Sequence, residues 1–275
     1  MHFKVVGCNV LRREIFACAA RSPHQVDVVM LPQGLHSQPD LLRQSVQREI
    51  DAPLVIHPWG HGESDLVAAE CPYDAVLLGY ALCSNGAAGL MAWQCPVIIP
   101  RAHDCITFFL GSKERYQECF NAKPGTYYYT SGWLECAKRR GIAAPIQSGA
   151  WMPTGANSSL RATYEQWVTK YGEDQAKYLL EEMSRWTASY SHGTFITFGF
   201  VEHLKLREEV QKICKERGWD YDELPGDLSL FNKLIEGEWA EADFLIVPPG
   251  QRVIATNDEK VIGTEPVPAP GSSGT

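Results

Sequence analysis

The sequence predicts an α/β protein built on a doubly wound, mainly parallel sheet. Two observations carry this prediction: short runs of Val, Ile and Leu recur along the first half of the chain, and segments with helical periodicity separate them. Such continuous apolar runs are typical of strands that are buried on both faces by helices. A chain of 275 residues is long enough for one large α/β domain or two smaller ones.

The elements of the first half follow from this pattern. The first strand is predicted at residues 3–7 (FKVVG), and the helix after it at residues 11–20. Further strands are predicted at 26–31, 54–56, 75–80, 97–99 and 126–130, and further helices at 40–50 and 107–121.

The second half begins with a loop rich in Gly, Pro and Ser at residues 144–159. Helices are predicted after it at 160–186, 204–217 and 228–236, with strands at 194–198 and 244–247. We therefore predict a β/α lobe over residues 1–150 and a second β/α lobe over 151–262 that completes or caps the first. Residues 263–275 have the composition of a disordered tail.

Charge and cysteine content narrow the functional class. The net charge is −8 and no cluster of Lys and Arg stands out, so we expect neither nucleic-acid nor membrane-surface binding. We expect no secretory signal, because the amino-terminal residues run straight into a strand-like segment, and no apolar stretch reaches the ~20 residues of a membrane span. The nine irregularly spaced cysteines favour a reducing, cytoplasmic location, where cysteines serve as core residues, metal ligands or nucleophiles.

Four chemically competent side chains follow predicted strands. Cys8 comes after the first strand, Cys83 follows the strand at 75–80, and His103 and Cys105 follow the strand at 97–99. Because the carboxyl ends of parallel strands lie at one edge of a sheet, we expect these side chains to converge. The sequence therefore predicts a metal site with Cys8, Cys83, His103 and Cys105 as ligands.

Thiolate and imidazole ligands select zinc most simply, with iron or an iron–sulfur cluster as alternatives. His103 and Cys105 are two residues apart, so an extended backbone would place both side chains on one face. Cys136 is a further candidate ligand whose role the sequence leaves open. Free cysteines are often plain core residues, and we assign that role to Cys18, Cys119 and Cys214, while Cys71 and Cys95 fall at the opposite edge of the sheet.

Polar residues beside these ligands suggest how a substrate would be held. Ser84, Asn85 and Gly86 have the composition of a strand-to-helix turn whose free N–H groups bind an anionic cofactor or substrate, although an ordinary loop has the same composition. Arg101 is a candidate partner for a carboxylate or phosphate, and Asp104 a candidate base. A surface arginine and a turn aspartate are the plain alternatives.

Four segments carry a family resemblance: LGYALCSNGAAGL (78–90), PRAHDCITFFLGSKERY (100–116), GTYYYTSGWLE (125–135) and ADFLIVPPGQRV (242–253). Through them the chain resembles the family known as domain of unknown function 1638. Members often occur alongside corrinoid-dependent methyltransferases, so the resemblance implies a corrinoid protein or a methyltransferase as a partner. Locally, His103, Cys105 and Cys136 are similar to the His-x-Cys…Cys set of zinc methyltransferases that methylate thiols.

The predicted function is that of a Zn- or Fe-dependent transferase or lyase that acts on a small thiol or anionic metabolite in methyl or one-carbon metabolism. Two alternatives stay open. The protein could be a non-enzymatic carrier that delivers a metal or cofactor to a methyltransferase. It could also be a metal-free enzyme in which His103 activates Cys83 or Cys105 as a nucleophile.

Overall fold

The computed structural model describes residues 1–52, 55–56, 67–68, 73–140, 164–165, 167–169, 171–178 and 190–267. The chain divides into two compact units, one formed by Met1–Phe108 with Leu228–Thr275 and the other by Phe109–Asp227. The predicted lobe boundary between residues 150 and 151 lies outside the described residues. The chain instead leaves the first unit after Phe108 and returns to it at Leu228.

The first stretch contains β1 (His2–Cys8), α1 (Arg12–Ala19), β2 (Gln25–Leu31), α2 (Pro39–Asp51), β3 (Val55–Ile56), β4 (Val67–Ala68), β5 (Ala75–Gly79), β6 (Met91–Ala92), β7 (Val97–Pro100) and α3 (Ile106–Leu110). The second unit continues with α4 (Lys113–Ala122), β8 (Thr126–Tyr129), α5 (Ser131–Arg140), β9 (His192–Thr197), α6 (Arg207–Arg217) and β10 (Asp220–Pro225). The first unit is completed by α7 (Ser229–Glu236), β11 (Phe244–Val247), β12 (Gln251–Ala255) and β13 (Ile262–Pro266). Short 3₁₀ turns span Asn9–Leu11, Leu35–Ser37 and Gly199–Leu204.

The main sheet of the first unit has the strand order β11-β7-β5-β1-β2. The four strands β2, β1, β5 and β7 are parallel, and β11 runs antiparallel to β7 along one edge. The chain passes from β1 to β2 in one direction and from β5 to β7 in the other, so the order reverses between β1 and β5. The predicted α/β fold with a mainly parallel sheet is confirmed.

The apolar runs of the sequence are buried because helices cover the sheet. Every residue of β5 and β7 is buried. At the reversal point Gly7 lies opposite Gly79, and Ile15 of α1 packs onto both. A Cβ atom on either glycine would come within 2.7–2.8 Å of the Ile15 Cδ1 atom. These two glycines therefore let α1 approach the sheet closely beside the carboxyl end of β1.

The second unit contains a smaller sheet of order β10-β9-β8, and all three strands are parallel. Its core combines Tyr129 and Phe195 from the sheet with apolar residues of α6. The strand β10 (DYDELP) is not predicted from the sequence, because its acidic residues and its proline are uncommon in strands. The predicted helix at 107–121 is two helices, since Gly111 takes a left-handed φ of +83° between them.

The carboxyl-terminal part of the first unit corrects the predicted tail. Residues 263–266, which the sequence assigns to a disordered segment, belong to β13 and pair with β12. Residues 268–275 lie outside the described residues. In the described parts of the chain, we find no helix with both the length and the apolar character needed to cross a membrane.

Candidate functional site

Three cysteine thiols gather at the carboxyl edge of the first unit's sheet. Cys8 is the last residue of β1, whereas Cys83 and Cys105 lie in the segments after β5 and β7. The thiols are close enough that Cys8 acts electrostatically on Cys83, and both act on Cys105. The parallel topology thus brings the three residues together, although Cys8 and Cys105 are 97 positions apart in the sequence.

Backbone hydrogen bonds beyond the strand ends hold the second and third of these segments together. The Leu82 N–H donates to the Ala102 carbonyl at 2.9 Å, and the Cys83 N–H donates to the His103 carbonyl at 3.0 Å. The chain after β5 is therefore attached to the chain after β7 up to Cys83. This attachment places Cys83 beside the loop that carries Cys105.

The residues Cys83–Asn85 form an unusual left-handed turn. Their φ angles are 47°, 56° and 66°, although none of the three is glycine. Left-handed backbone costs an ordinary residue roughly 1–2 kcal/mol, and such strain concentrates at functional sites. Hydrogen bonds from the Gly86 N–H to the Cys83 carbonyl (3.0 Å) and from the Ala87 N–H to the Leu82 carbonyl (3.2 Å) close the turn. Ser84 and Asn85 are exposed there, and their predicted role in anion binding stays a prediction.

Gly86 lets this turn dock on α2. A Cβ atom at this position would lie 2.3 Å from the Leu42 Cδ2 atom and 3.1 Å from the Cys83 carbonyl oxygen. Leu42 itself is buried in the core. The contact fixes how far the turn, and Cys83 with it, stands from α2.

Burial dominates the electrostatics of the thiols. It raises the pKa of Cys83 to about 12, and the nearby Cys8 and Asp104 add to the increase, while a backbone hydrogen bond from Ala81 opposes it. The pKa of Cys105 is also well above the ordinary thiol range because of burial first, then the charge of Asp104 and the two other cysteines. These thiols keep their protons at neutral pH unless a bound cation displaces the protons.

Asp104 has a defined structural role beside the thiols. Its Oδ1 atom accepts a hydrogen bond from the Ile106 N–H at 2.9 Å, which starts α3. Its carboxylate also acts electrostatically on Cys83 and Cys105. The structure brings Asp104 to the predicted site, and its role as a base stays a prediction.

Tyr80 is a member of this cluster that the sequence does not predict. It directly follows β5 and is only 3% exposed. Its hydroxyl lies beside the Cys8 thiol, within hydrogen-bonding reach of it. Burial raises the pKa of Tyr80 first, followed by the charges of Cys8 and Cys83. In the sequence, a tyrosine after an apolar run is indistinguishable from a core residue.

Two predicted site residues stand apart from the thiols. His103 has an exposed side chain, and residues 103–105 form bends and a turn rather than the expected extended backbone. Arg101 is only 6% exposed: its Nε atom donates to the Glu241 carbonyl at 2.8 Å, and its Nη1 atom donates to Lys260 and Ile262 carbonyls. Arg101 therefore anchors the carboxyl-terminal strands, and a substrate role for it stays a prediction.

The remaining cysteines mostly match their predicted core assignments. Cys18, Cys95 and Cys214 are buried, and Cys95 lies near the amino ends of the strands, away from the thiol cluster. Cys119 differs, because it is half-buried rather than part of the core. Cys136 is buried within the second unit. Cys71 lies outside the described residues.

As the side chains stand, the described residues contain no group of three or more His, Cys, Asp or Glu that is already arranged to hold a metal ion. The three thiols are close to one another without forming a finished ligand set. Ligation by Cys8, Cys83, His103 and Cys105 stays a prediction. What the cluster offers chemically is a set of soft sulfur donors next to a buried hydroxyl.

Comparison with known proteins places the chain in a family. Residues 30–235 match the model of the family described as protein of unknown function (DUF1638), and the chain belongs to that family. The resemblance noted in the sequence is thereby confirmed. Cys83, His103 and Cys105 lie inside the matched segment, whereas Cys8 precedes it. No curated protein and no solved structure matches the chain.

Proposed function

We propose that this member of the DUF1638 family binds one thiophilic metal ion at the carboxyl edge of the first unit's sheet, through Cys8, Cys83 and Cys105. One observation carries the proposal: Cys8 and Cys83 lie at the ends of β1 and β5, between which the strand order reverses, and both act electrostatically on Cys105 after β7. Open α/β sheets bind their ligands in the crevice at this point. Ligation requires rotation of the cysteine side chains, each of which has a single χ angle.

The number of thiols favours a single ion. Zinc in catalytic sites has three protein ligands and an open fourth position, which is the arrangement that three cysteines provide. An iron–sulfur cluster uses four cysteines as a rule, so it would require a further thiol beyond the three that gather here. His103 is the predicted alternative for the fourth position, and it would have to turn inward from its exposed place. We therefore favour zinc, with a single iron as the alternative.

An open position on the metal would serve a small thiol or an anionic metabolite. A metal ion lowers the pKa of a bound thiol and keeps it as a thiolate nucleophile. In this proposal the turn at Ser84–Gly86 receives the anionic part of the ligand, and Asp104 takes up a proton. The reaction class is a transfer or lyase reaction of one-carbon metabolism.

Metal analysis of cysteine variants tests the ligand assignment. We expect about one metal equivalent per chain in protein purified anaerobically without chelator, as a single compact site implies. Cys83→Ser and Cys105→Ser should each remove most of it. Cys95→Ser is the matched control, because Cys95 is a buried thiol at the opposite end of the same sheet and should retain the metal. Equal metal content in all three variants would contradict the assignment.

Thiol binding tests the open position. In protein loaded with Co(II), addition of a small thiol should change the d–d and charge-transfer bands and release a proton, because the thiol enters as a thiolate. A spectrum that stays the same with every thiol tested would leave the metal a structural ion.

The proposed place in methyl metabolism needs its own test. The family resemblance suggests a corrinoid protein or methyltransferase as a partner, and a metal-bound thiolate is a suitable methyl acceptor. Methylcobalamin and a small thiol should therefore be consumed together by the metal-loaded protein: the thiolate takes the methyl group, the Co–C bond breaks with its electron pair left on cobalt, and the products are a methyl thioether, cob(I)alamin and the proton that the thiol released. Consumption at the rate of the metal-free Cys83→Ser variant would contradict a methyl-transfer role while leaving the metal site in place.

One observation favours the alternative of a metal carrier. Cys8, Cys83 and Cys105 are half-buried as residues, so the cluster lies near the protein surface although burial dominates the electrostatics of the Cys83 and Cys105 thiols. A carrier should release its metal rapidly to a chelator, on the time scale of mixing. An enzyme with a retained cofactor should release it slowly.

A further inference from the structure

Two side-chain amides at the carboxyl edge of the main sheet have an oxygen that the fold does not use. Asn9 directly follows β1, and Gln33 lies two residues beyond β2. Both residues are half-buried, and the amide oxygen of each is buried without a hydrogen-bond partner among the described residues. Buried polar atoms in native proteins nearly always have a partner, because an unpartnered one lowers stability. These two oxygens therefore indicate donors that come from outside the chain.

The two amides follow neighbouring strands. β1 and β2 pair in parallel with Cys8 opposite Leu31, and neighbouring strands lie about 4.8 Å apart. Asn9 and Gln33 therefore leave the sheet side by side at the same edge. The 3₁₀ turn after β1 uses Asn9 through its backbone, whose carbonyl accepts from the Arg12 N–H, and this leaves the amide oxygen available to a ligand.

Gln47 shows what an amide that serves the fold does in the same unit. It lies on α2, where its Oε1 atom accepts from the Met91 N–H at 2.8 Å and its Nε2 atom donates to the Met91 carbonyl at 3.1 Å. Both ends of this amide thus hold the segment at β6 in place. Gln33 has the same side chain, yet its oxygen makes no such contact among the described residues.

The surroundings of the two oxygens define the ligand that fits them. Cys8 and Leu35, which flank Asn9 and Gln33 along the chain, are partly buried and pack on the hydrophobic core. A ligand at this edge would therefore lay an apolar part on these side chains and direct N–H groups at the oxygens. Both oxygens are neutral acceptors, which suit a neutral N–H donor better than an ammonium ion, whose loss of hydration they offset only in part.

We propose that Asn9 and Gln33 form a binding site for a small molecule that carries a neutral NH₂ group on an apolar body, such as a primary amide or an amino-substituted ring. One N–H would donate to each amide oxygen. This inference goes beyond the proposed metal binding and does not depend on it, because neither amide is among the proposed metal ligands.

Three matched probes test the site in the full-length, metal-free protein, with affinities measured by NMR titration. Benzamide has the NH₂ group on an apolar ring, N,N-dimethylbenzamide lacks both N–H donors, and benzylammonium carries a charge. Benzamide should bind about tenfold more tightly than N,N-dimethylbenzamide, as two hydrogen bonds of ordinary strength imply. It should also bind more tightly than benzylammonium.

Variants of the amides tie this preference to the two residues. Asn9→Leu and Gln33→Met should each reduce the preference for benzamide to about threefold, and the double variant should abolish it. Each should also raise the Tm of the ligand-free protein by about 2–4 °C, because an unpartnered buried oxygen is removed. Gln47→Met is the matched control: it should lower the Tm, since Met91 loses its partners, and leave the preference unchanged.

The opposite signs expected for Gln33→Met and Gln47→Met separate a ligand-binding amide from a structural one. A lower Tm in Asn9→Leu and Gln33→Met would show that the fold uses both amides and would overturn the proposal. Equal affinities for benzamide and N,N-dimethylbenzamide, or binding of neither, would overturn it as well and leave the oxygens merely hydrated. Tighter binding of benzylammonium than of benzamide would overturn the assignment of a neutral donor.

Discussion

The two units each contain a sheet of parallel strands in which a buried tyrosine lies at or just beyond the end of a strand. In the first unit, Tyr80 follows β5 and lies against Cys8, with two more thiols nearby. In the second unit, Tyr129 ends β8 and packs against the rings of Tyr127 and Trp133, whose centroids are 5.0 and 5.4 Å away. One sheet therefore has three thiols at its edge, and the other ends in an aromatic core.

Sheet architecture alone therefore does not create the candidate site. Both sheets contain parallel strands, yet only in the first do cysteines come after several of them. The first sheet also carries the left-handed turn at Cys83–Asn85 beside its thiols. In the second unit, the thiol of Cys214 near the tyrosine donates to the Gly193 carbonyl and fills space in the core. The residues placed just beyond each strand end thus decide the chemistry of the sheet edge.

The largest expected difference between the two sheets is the pH dependence of metal binding. Cys83 and Cys105 hold their protons at neutral pH because burial raises the pKa of both thiols. Metal binding must release these protons, so affinity should rise with pH, by about tenfold per pH unit for each thiol displaced. Titrations with Co(II) between pH 6 and 8 measure the slope. Cys214→Ser should leave this slope unchanged. A metal affinity that does not vary with pH would contradict ligation by thiols that are protonated in the metal-free protein.

The same shift predicts how the metal-free protein responds to alkali. The folded chain keeps a proton on Cys83 up to a pKa of about 12, whereas an unfolded chain releases it near the ordinary thiol value of 9.0. Stability from this group is therefore fully present below pH 9 and is lost as the pH rises towards 12. Alkaline unfolding should accordingly begin at lower pH in the wild type than in Cys83→Ala, which has no thiol to ionise.

The next prediction tests whether Arg101 stabilises the fold or binds a substrate. Its guanidinium donates to three backbone carbonyls of the carboxyl-terminal segment, and lysine cannot reproduce this planar arrangement. Arg101→Lys should therefore lower the free energy of unfolding by about 2–4 kcal/mol, since buried acceptors lose their donors. Denaturant unfolding checks this. A fully stable variant that binds anionic ligands more weakly would instead restore the substrate role.

The smallest effect compares two glycines. A Cβ atom on Gly86 would lie 2.3 Å from Leu42 Cδ2, and one on Gly193 would lie 2.3 Å from Cys214 Sγ. Either alanine variant should lose about 1–3 kcal/mol of stability through overpacking. Only Gly86→Ala should also weaken metal binding, because it displaces the turn that carries Cys83. Leu42→Ala added to Gly86→Ala should restore part of the affinity, and equal losses of affinity in both glycine variants would contradict the proposed difference between the sheets.

Much of the fold can be predicted because its signals are local. The apolar runs of β1, β5 and β7 are buried on both sides, so composition alone reveals them. The strand β10 cannot be found in this way, because its acidic, proline-ended sequence lacks that signal. The strand β13 has the composition of a tail because its sequence, IGTEP, is short and contains Gly and Pro, so its pairing with β12 and its contact with Arg101 are visible only in the structure.

The part of the candidate site that can be predicted from the sequence is the part that follows from the parallel strand topology. Residues after parallel strands share an edge, which is why the sequence suffices to group Cys8, Cys83 and Cys105. The outward placement of His103 depends on a bend that residue types do not encode. The left-handed backbone at Cys83–Asn85 cannot be predicted, because none of the three residues is glycine, the residue that usually indicates such a conformation. Tyr80 has the sequence signature of a core residue, because the position of its hydroxyl beside Cys8 is visible only in a structure.

X-ray absorption at the metal edge tests the central claim most directly, because it counts the sulfur atoms bound to the ion. For zinc-loaded wild-type protein we predict three sulfur ligands at about 2.3 Å, the usual Zn–S bond length. Cys105→Ser should show at most two, and Cys95→Ser should show three. A first shell made only of nitrogen and oxygen atoms in the wild type would contradict a metal centre built on Cys8, Cys83 and Cys105.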